Sequence, residues 1–168
     1  MIYVILGIIL VILIVTLIFY INKKKLDEIN NNIIICHNKM DESLDEKQKL
    51  MDKIAKKAKN KDILKLIKQE TDTIFEKEKN LFDAKWNLNK LINEDKFKPT
   101  KEDKKTIQSL NELEETIEGL KDFYNSKVSI YNYQLNKKPL CYLYKLLKLE
   151  NKKSFSLKRI ENYEILKD

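Results

Sequence analysis

The chain has 168 residues, of which 33 are Lys or Arg and 26 are Asp or Glu, so its formal net charge is +7. Only two glycines and two prolines occur, which argues against a fold of short strands and turns and against a glycine-rich phosphate loop. One histidine and two cysteines are too few for a histidine-based metal site or a disulfide framework.

The chain opens with an uncharged apolar run, Met1 to Ile21. As a helix, this run is about 31 Å long, close to the hydrocarbon thickness of a bilayer. A helix is also the form that satisfies every backbone amide within lipid. Tyr20 stands where aromatic belts lie, and Lys23–Lys25 follow. The run therefore predicts a transmembrane helix, with the bilayer as its partner.

Two alternatives fit the apolar run less well. A cleaved signal peptide would have a basic residue before the run and small residues at its end, whereas Phe19–Asn22 offers no small-residue site. A buried core helix would need more chain than remains to cover all its sides. We therefore expect an uncleaved, single-pass anchor. The lysines lie on one side only, so the N-terminus is expected outside the cell membrane and the domain in the cytoplasm. There Cys36 and Cys141 would stay reduced, as small buried side chains.

Beyond the anchor, apolar residues recur at steps of three and four, with polar residues between them. The first helix is expected to continue from the membrane to about Asn60, with Asn30–Asn32 as a candidate interruption and Asp62 as a candidate N-cap of the next helix. Its apolar stripe consists of Leu26, Ile29, Ile33, Met40, Leu44, Met51, Ile54 and Ala58.

Three further helices are predicted. The second extends from Ile63 to Ile92, and a break from Asn93 to Thr100 follows it. The third begins at Thr100–Asp103, which resembles a capping box. Pro139 either ends it or opens the next segment at its first turn. A short fourth helix is expected from about Leu140 to Leu149.

Three long amphipathic helices with short connections predict an all-α, antiparallel helical bundle. The expected organisation is a transmembrane anchor over residues 1–22, a bundle over 23–153 and a C-terminal tail over 154–168. The tail contains apolar residues at helical spacing and is expected to form a docked amphipathic helix.

The basic charge has three interpretations: a solvated surface, attraction to anionic lipid, or binding of nucleic acid. No nucleic-acid partner is expected, because the lysines alternate with acidic residues and no recognition motif is present. The solvated surface is the simplest interpretation.

The sequence contains no catalytic constellation, so we expect neither an enzyme nor a cofactor, and no bound metal. His37 lies on the apolar stripe between Ile33 and Met40, where a packing or interface role is expected. The acidic residues lack the Glu-x-x-His spacing of di-iron bundles.

The third helix carries the most specific pattern, in which Tyr-Asn repeats after seven residues. Residues seven apart return to nearly the same helix face. The tyrosines therefore form one column with a valine between them, and the asparagines form another. We call these five residues the tyrosine–asparagine motif: Tyr124, Asn125, Val128, Tyr131 and Asn132.

Buried tyrosine and asparagine side chains need hydrogen-bond partners. The motif therefore predicts a seam in which polar groups on a neighbouring helix fix the register. Glu114 and Lys121, also seven apart, are candidates to extend the polar column. The alternative is a ligand or partner groove lined by the same residues.

At this motif the chain resembles the LemA family of bacterial membrane proteins. The order and spacing of the family pattern match Glu114, Ile117, Lys121, Tyr124, Asn125, Val128, Tyr131, Asn132, Leu135 and Pro139. A second match follows the anchor at Asn31, Ile33, Ile34, His37, Asn38, Met40 and Asp41, and a looser one joins Glu78–Lys79 to Ala84–Lys85. The chain departs from the family at two elements. The Arg-Arg-x-Asp-Leu-Ile-Pro signature is missing, with at most a remnant at Lys61–Leu64, and the Tyr-Pro pair is reduced to Phe97–Pro99.

The resemblance covers about residues 1 to 155 and implies an anchored helical bundle. It favours a non-enzymatic interaction or scaffold module that meets a protein partner at the bacterial membrane. The alternative is a structural, lipid-organising protein that self-associates and binds anionic lipid through its basic surface. Homo-oligomer formation is left open.

Overall fold

The computed structural model describes residues 1–155, which contain five helices and no strand. The helices are α1 (Ile2–Ala58), α2 (Lys61–Lys68), α3 (Ile74–Asn93), α4 (Lys101–Asn136) and α5 (Cys141–Leu146). The prediction of an all-α fold with a long apolar N-terminal helix is therefore confirmed.

Helix α1 continues without a break from the apolar run into the amphipathic stripe. The candidate interruption at Asn30–Asn32 does not occur, because the stripe holds buried side chains on both sides of it, at Ile29 and Ile33. The helix ends before Lys59, whose φ of 50° lies in the left-handed region. The next helix is capped by Asn60 instead of the predicted Asp62: the Asn60 side chain accepts a hydrogen bond of 3.0 Å from the amide of Ile63.

The prediction of one long second helix is wrong, because residues 69–73 separate α2 from α3. The Thr73 hydroxyl caps α3 by accepting a 3.3 Å hydrogen bond from the amide of Glu76. Ile67 and Ile74 are both buried, so the apolar periodicity continues through residues 69–73. For this reason the periodicity alone does not predict the break between the helices. The Thr-x-x-Glu pattern at Thr73 is the sequence signal that marks this helix start.

Helix α4 begins with the predicted capping box. Thr100 Oγ1 accepts a hydrogen bond of 3.3 Å from the amide of Asp103, and Asp103 Oδ2 accepts one of 3.0 Å from the amide of Thr100. Lys57 Nζ lies 2.7 Å from Asp103 Oδ1. The hydrogen bonds from Lys57 and Thr100 lower the pKa of Asp103 to about 2. Helix α5, from Cys141 to Leu146, is shorter than the predicted fourth helix.

The described chain forms two compact units. The first unit consists of Met1–Ile35 and residues 123–155, and the second unit consists of Cys36–Asp122. Both α1 and α4 contribute a segment to each unit.

Within the second unit, polar contacts fix the helix directions. Cys36, Lys47 and Lys57 of α1 contact Leu120, Glu114 and Asp103 of α4, so these helices are antiparallel. Helix α3 is also antiparallel to α4, since Glu78 lies near Lys121 and Lys85 near Asn111. The core of this unit consists of Cys36, Met40, Leu44, Met51, Ile54, Ala55, Ile63, Ile67, Ile74, Leu81, Ala84, Leu88, Leu110 and Ile117.

Within the first unit, the core combines one face of α1 with α4, α5 and the segment that follows them. Its buried side chains are Leu26, Ile29, Ile33, Tyr124, Val128, Tyr131, Leu135, Cys141, Tyr144 and Phe155. Residues 151–155 are not helical, although the predicted tail helix was to begin at Ser154. The remainder of that predicted helix, residues 156–168, lies outside the described residues.

Candidate functional site

The tyrosine–asparagine motif lies in the first unit, on the last four turns of α4. Tyr124, Val128 and Tyr131 are buried in the core. Asn125 and Asn132, each one residue further along, are half-buried at the edge of that core. The helix therefore presents an apolar column and a polar column side by side, as the seven-residue spacing predicts.

The two asparagines bind the backbone of the segment 151–155. Asn125 Oδ1 accepts a hydrogen bond of 2.8 Å from the amide of Phe155, and Asn125 Nδ2 donates one of 3.2 Å to its carbonyl. Asn132 makes the same pair with Lys152, at 2.9 Å in each direction. Each carboxamide thus pairs with both backbone groups of one residue, as a neighbouring strand would.

The spacing of the asparagines matches the spacing of the backbone that they bind. Seven residues of α-helix advance about 10.5 Å, and three residues of extended chain advance about 10 Å. Asn125 and Asn132 are seven apart, and their partners Phe155 and Lys152 are three apart in the opposite chain direction. The expectation of a partner helix for the polar column is therefore corrected: the partner is a non-helical segment that runs antiparallel to α4.

Two ring contacts fix the same segment against the tyrosine column. The rings of Tyr124 and Phe155 meet edge to face, with centroids 5.1 Å apart. Lys152 Nζ lies 5.3 Å from the centroid of the Tyr131 ring, within the range of a cation–π interaction. Burial raises the pKa of Tyr131, and the negative charge of Asp27 raises it further. The phenol therefore stays protonated across the physiological range.

Replacing Asn132 by alanine is expected to destabilise the chain by about 1–3 kcal/mol, since it leaves the amide and carbonyl of Lys152 without their partner. The measurement is urea unfolding of the detergent-solubilised chain, with hydrogen exchange at the Lys152 amide. Asn38→Ala is the control, because Asn38 is an exposed helical residue and gains the same helix propensity. Unchanged exchange at Lys152 would contradict the pairing.

Glu114 lies in the second unit, where it joins two buried lysines. Glu114 Oε1 lies 2.8 Å from Lys47 Nζ, and Glu114 Oε2 contacts Lys85 Nζ. Lys85 Nζ also donates a hydrogen bond of 3.0 Å to Asn111 Oδ1. We call Lys47, Lys85 and Glu114 the lysine–glutamate cluster. Its members hold α1, α3 and α4 together through one carboxylate.

Lys121 makes a second buried charge contact in the same unit. Its Nζ lies 2.8 Å from Glu118 Oε1 and 3.5 Å from Glu78 Oε1. Glu114 and Lys121 were predicted to extend the polar column, and the structure instead pairs each with charged side chains of the second unit. Pro139 is exposed between α4 and α5. Sequence patterns gave no sign of Lys47 or Lys85 as buried residues, because lysines on amphipathic helices are usually solvated.

The lysine–glutamate cluster makes stability depend on pH. Burial lowers the pKa of Lys85 to about 8, and the positive charge of Lys47 at the same carboxylate contributes. Since the folded pKa lies below the unfolded one, the unfolded chain binds more protons above pH 8. The free energy of unfolding should therefore rise by about 1–2 kcal/mol between pH 8 and about 9.5. Urea unfolding across this range tests the effect. Lys85→Met should remove the rise, and a rise that persists in this variant would contradict the assignment.

His37 is half-buried in the second unit and lines an open groove. The groove is also lined by Asp41 and Gln48 of α1, by the end of α2, by the connection between α2 and α3, and by the first turns of α3. Among residues 1–155 there is no group of three or more histidine, cysteine or acidic side chains placed to hold a metal ion.

The apolar run of α1 is almost entirely uncovered. Within residues 1–21 of the structure only Phe19 is half-buried, and the other side chains are exposed. Tyr144 of α5 covers Phe19, with ring centroids 5.8 Å apart. Helix α1 is the one helix in the described part of the chain that is long and apolar enough to cross a membrane.

The described residues form an all-α protein, and its helix α1 is apolar and long enough to cross a membrane. Its most specific site is the pair Asn125 and Asn132, which binds the backbone of a non-helical segment. Comparison of the chain with protein-family models, curated proteins and solved structures found no match.

Proposed function

We propose that this chain is a single-pass protein of the bacterial cell membrane, of LemA type, whose helical domain is a non-enzymatic interaction or scaffold module. Residues 1–21 are its anchor. The N-terminus lies outside and the domain lies in the cytoplasm.

The exposure of the apolar run carries the anchor proposal. Side chains such as Ile9 and Leu13 stand open to solvent on every side of the helix, at roughly half or more of full exposure. Transfer of each such side chain from water to an apolar phase is favourable by about 1.5–3 kcal/mol. A helix that exposes apolar side chains on all sides is suited to the hydrocarbon core of a bilayer, and the length of this one fits the thickness of that core. Lys23–Lys25 directly after the run support the cytoplasmic orientation.

Three features support the interaction role. The resemblance to LemA proteins is strongest at the tyrosine–asparagine motif. In this chain the asparagines of the motif bind the backbone of residues 151–155. The first unit also exposes apolar side chains on α4 at Phe123, Ile130 and Tyr133, which are a candidate partner surface. Confinement to the membrane plane raises the effective concentration of a partner, so a surface of modest size suffices.

The anchor is tested by alkaline extraction of membranes that contain the full chain. The chain should remain in the membrane pellet, and Ile9→Arg combined with Leu13→Arg should release a large share of it, since each arginine costs about 2.5–3.5 kcal/mol within a span. Ser109→Arg with Thr116→Arg adds the same two charges at exposed positions of α4 and should stay in the pellet. Release of the unmodified chain would contradict the anchor.

The interaction role is tested by a photo-crosslinking amino acid placed at Ile130 in the cells from which the chain comes. The proposal predicts an adduct with a different membrane-associated protein, and the same group at exposed Lys105 is the control. An adduct with a second copy of the chain would favour the alternative of a self-associating, lipid-organising protein. That alternative is supported by the net charge of +7.

A further inference from the structure

Helix α5 and its C-cap residue Leu147 carry exposed apolar side chains that the fold does not cover. It buries Cys141 and Tyr144 in the first unit. The side chains beside them are open: Tyr142 is 63% exposed, Leu143 38%, Leu146 79% and Leu147 49%. Four such side chains within six residues form a patch that water solvates poorly. We call these four residues the α5 patch.

The position of α5 links this patch to the apolar run of α1. Tyr144 packs on Phe19, with ring centroids 5.8 Å apart, and both residues belong to the first unit. Phe19 lies in the last turn of the run, two residues before Ile21. Helix α5 is therefore held beside the lysine-flanked end of the apolar run. If that run crosses a bilayer, this end lies at the headgroup level.

The chain around the α5 patch is locally basic. Residues 137–148 contain four lysines and no acidic residue. Within residues 137–148 the lysines stand among apolar and aromatic side chains. Leucine and tyrosine on a short helix, with lysines in the helix and on both sides of it, are the composition of segments that lie in the membrane interface. The four lysines are Lys137, Lys138, Lys145 and Lys148.

We propose that α5 is an interfacial membrane helix: the α5 patch enters the boundary between headgroups and acyl chains of the cytoplasmic leaflet, and Lys145 with the lysines that flank α5 contacts anionic headgroups. The inference rests on the proposed anchoring through α1, and it adds a second lipid-binding element. The position beside Phe19 and the four lysines of residues 137–148 favour lipid over a protein as the occupant of the patch. The chain would then bind the membrane at two places, through the apolar run of α1 and through α5.

The test uses the full chain in nanodiscs of phosphatidylcholine and phosphatidylglycerol, with one nitroxide spin label on an introduced cysteine. The native Cys36 and Cys141 are buried, and the unmodified chain after the same labelling is the blank. The label is placed by Leu146→Cys on the α5 patch, by Leu13→Cys in the middle of the span, or by Lys105→Cys on an exposed face of α4 as the aqueous control. Relaxation by oxygen and by a water-soluble nickel chelate reports the depth of each label.

The proposal predicts that the label at Leu146 is relaxed several-fold more by oxygen, relative to the nickel chelate, than the label at Lys105. A membrane-buried label at Leu13 with an aqueous label at Leu146 would overturn the α5 proposal and leave the anchor intact. An aqueous label at Leu13 would overturn both. Spin–spin broadening at Leu146 would show that a second copy covers the patch, and would likewise overturn it.

Discussion

The variant Glu114→Ala is expected to lose about 3–5 kcal/mol of unfolding free energy, because it leaves two buried lysines without their shared carboxylate. Lys47 and Lys85 are 3% and 8% exposed, so water cannot replace the lost partner without opening the bundle. The measurement is urea unfolding of the full chain in detergent micelles, followed by circular dichroism.

Two further variants separate the ion pairs from a general effect on α4. Glu115→Ala removes the neighbouring, exposed glutamate and should change the free energy of unfolding by less than about 0.5 kcal/mol. Replacing Lys47 and Lys85 by methionine and Glu114 by leucine removes all three charges together and should restore most of the stability. If Glu114→Ala were as stable as Glu115→Ala, the lysine–glutamate cluster would not hold the helices.

The variant Tyr131→Ala is the second large prediction, with an expected loss of about 3–5 kcal/mol. Tyr131 is 5% exposed, and its ring fills the core of the first unit beneath Lys152. Tyr133→Ala is the matched control, since Tyr133 lies two residues further along α4 and is 66% exposed. The control should stay within about 0.5 kcal/mol of the original chain in the same urea titration. A Tyr131→Ala chain as stable as the control would contradict the packing role of the motif.

Hydrophobic periodicity predicted most of the helical architecture because the buried stripes are long and regular. Met40, Leu44, Met51 and Ile54 lie in the core, as their spacing predicts. The capping box at Thr100 located the start of α4. The same periodicity failed at the α2–α3 break, since a seven-residue step from Ile67 to Ile74 keeps both side chains on one face whether or not the helix continues.

The sequence identified the tyrosine–asparagine motif but not its partner. Seven-residue spacing places Asn125 and Asn132 in one column, and it does not say whether a helix or an extended chain faces them. The answer depends on residues 151–155, whose polar composition carries no strand or helix period. The burial of charged side chains could not be predicted from the sequence either. In the sequence, Lys47 looks like the solvated lysines around it, and its burial follows only from the positions of three helices.

The most direct test of a single membrane crossing is the labelling of single cysteines in intact cells with a membrane-impermeant maleimide. Tyr3→Cys lies at the N-terminal end of the apolar run and Lys105→Cys on an exposed face of α4, while the two native cysteines are buried. A helix that crosses the membrane once with its N-terminus outside predicts labelling of Tyr3→Cys in intact cells and of Lys105→Cys only after permeabilisation. Equal labelling of both positions in intact cells, or protection of both until the membrane is opened, would contradict a single crossing.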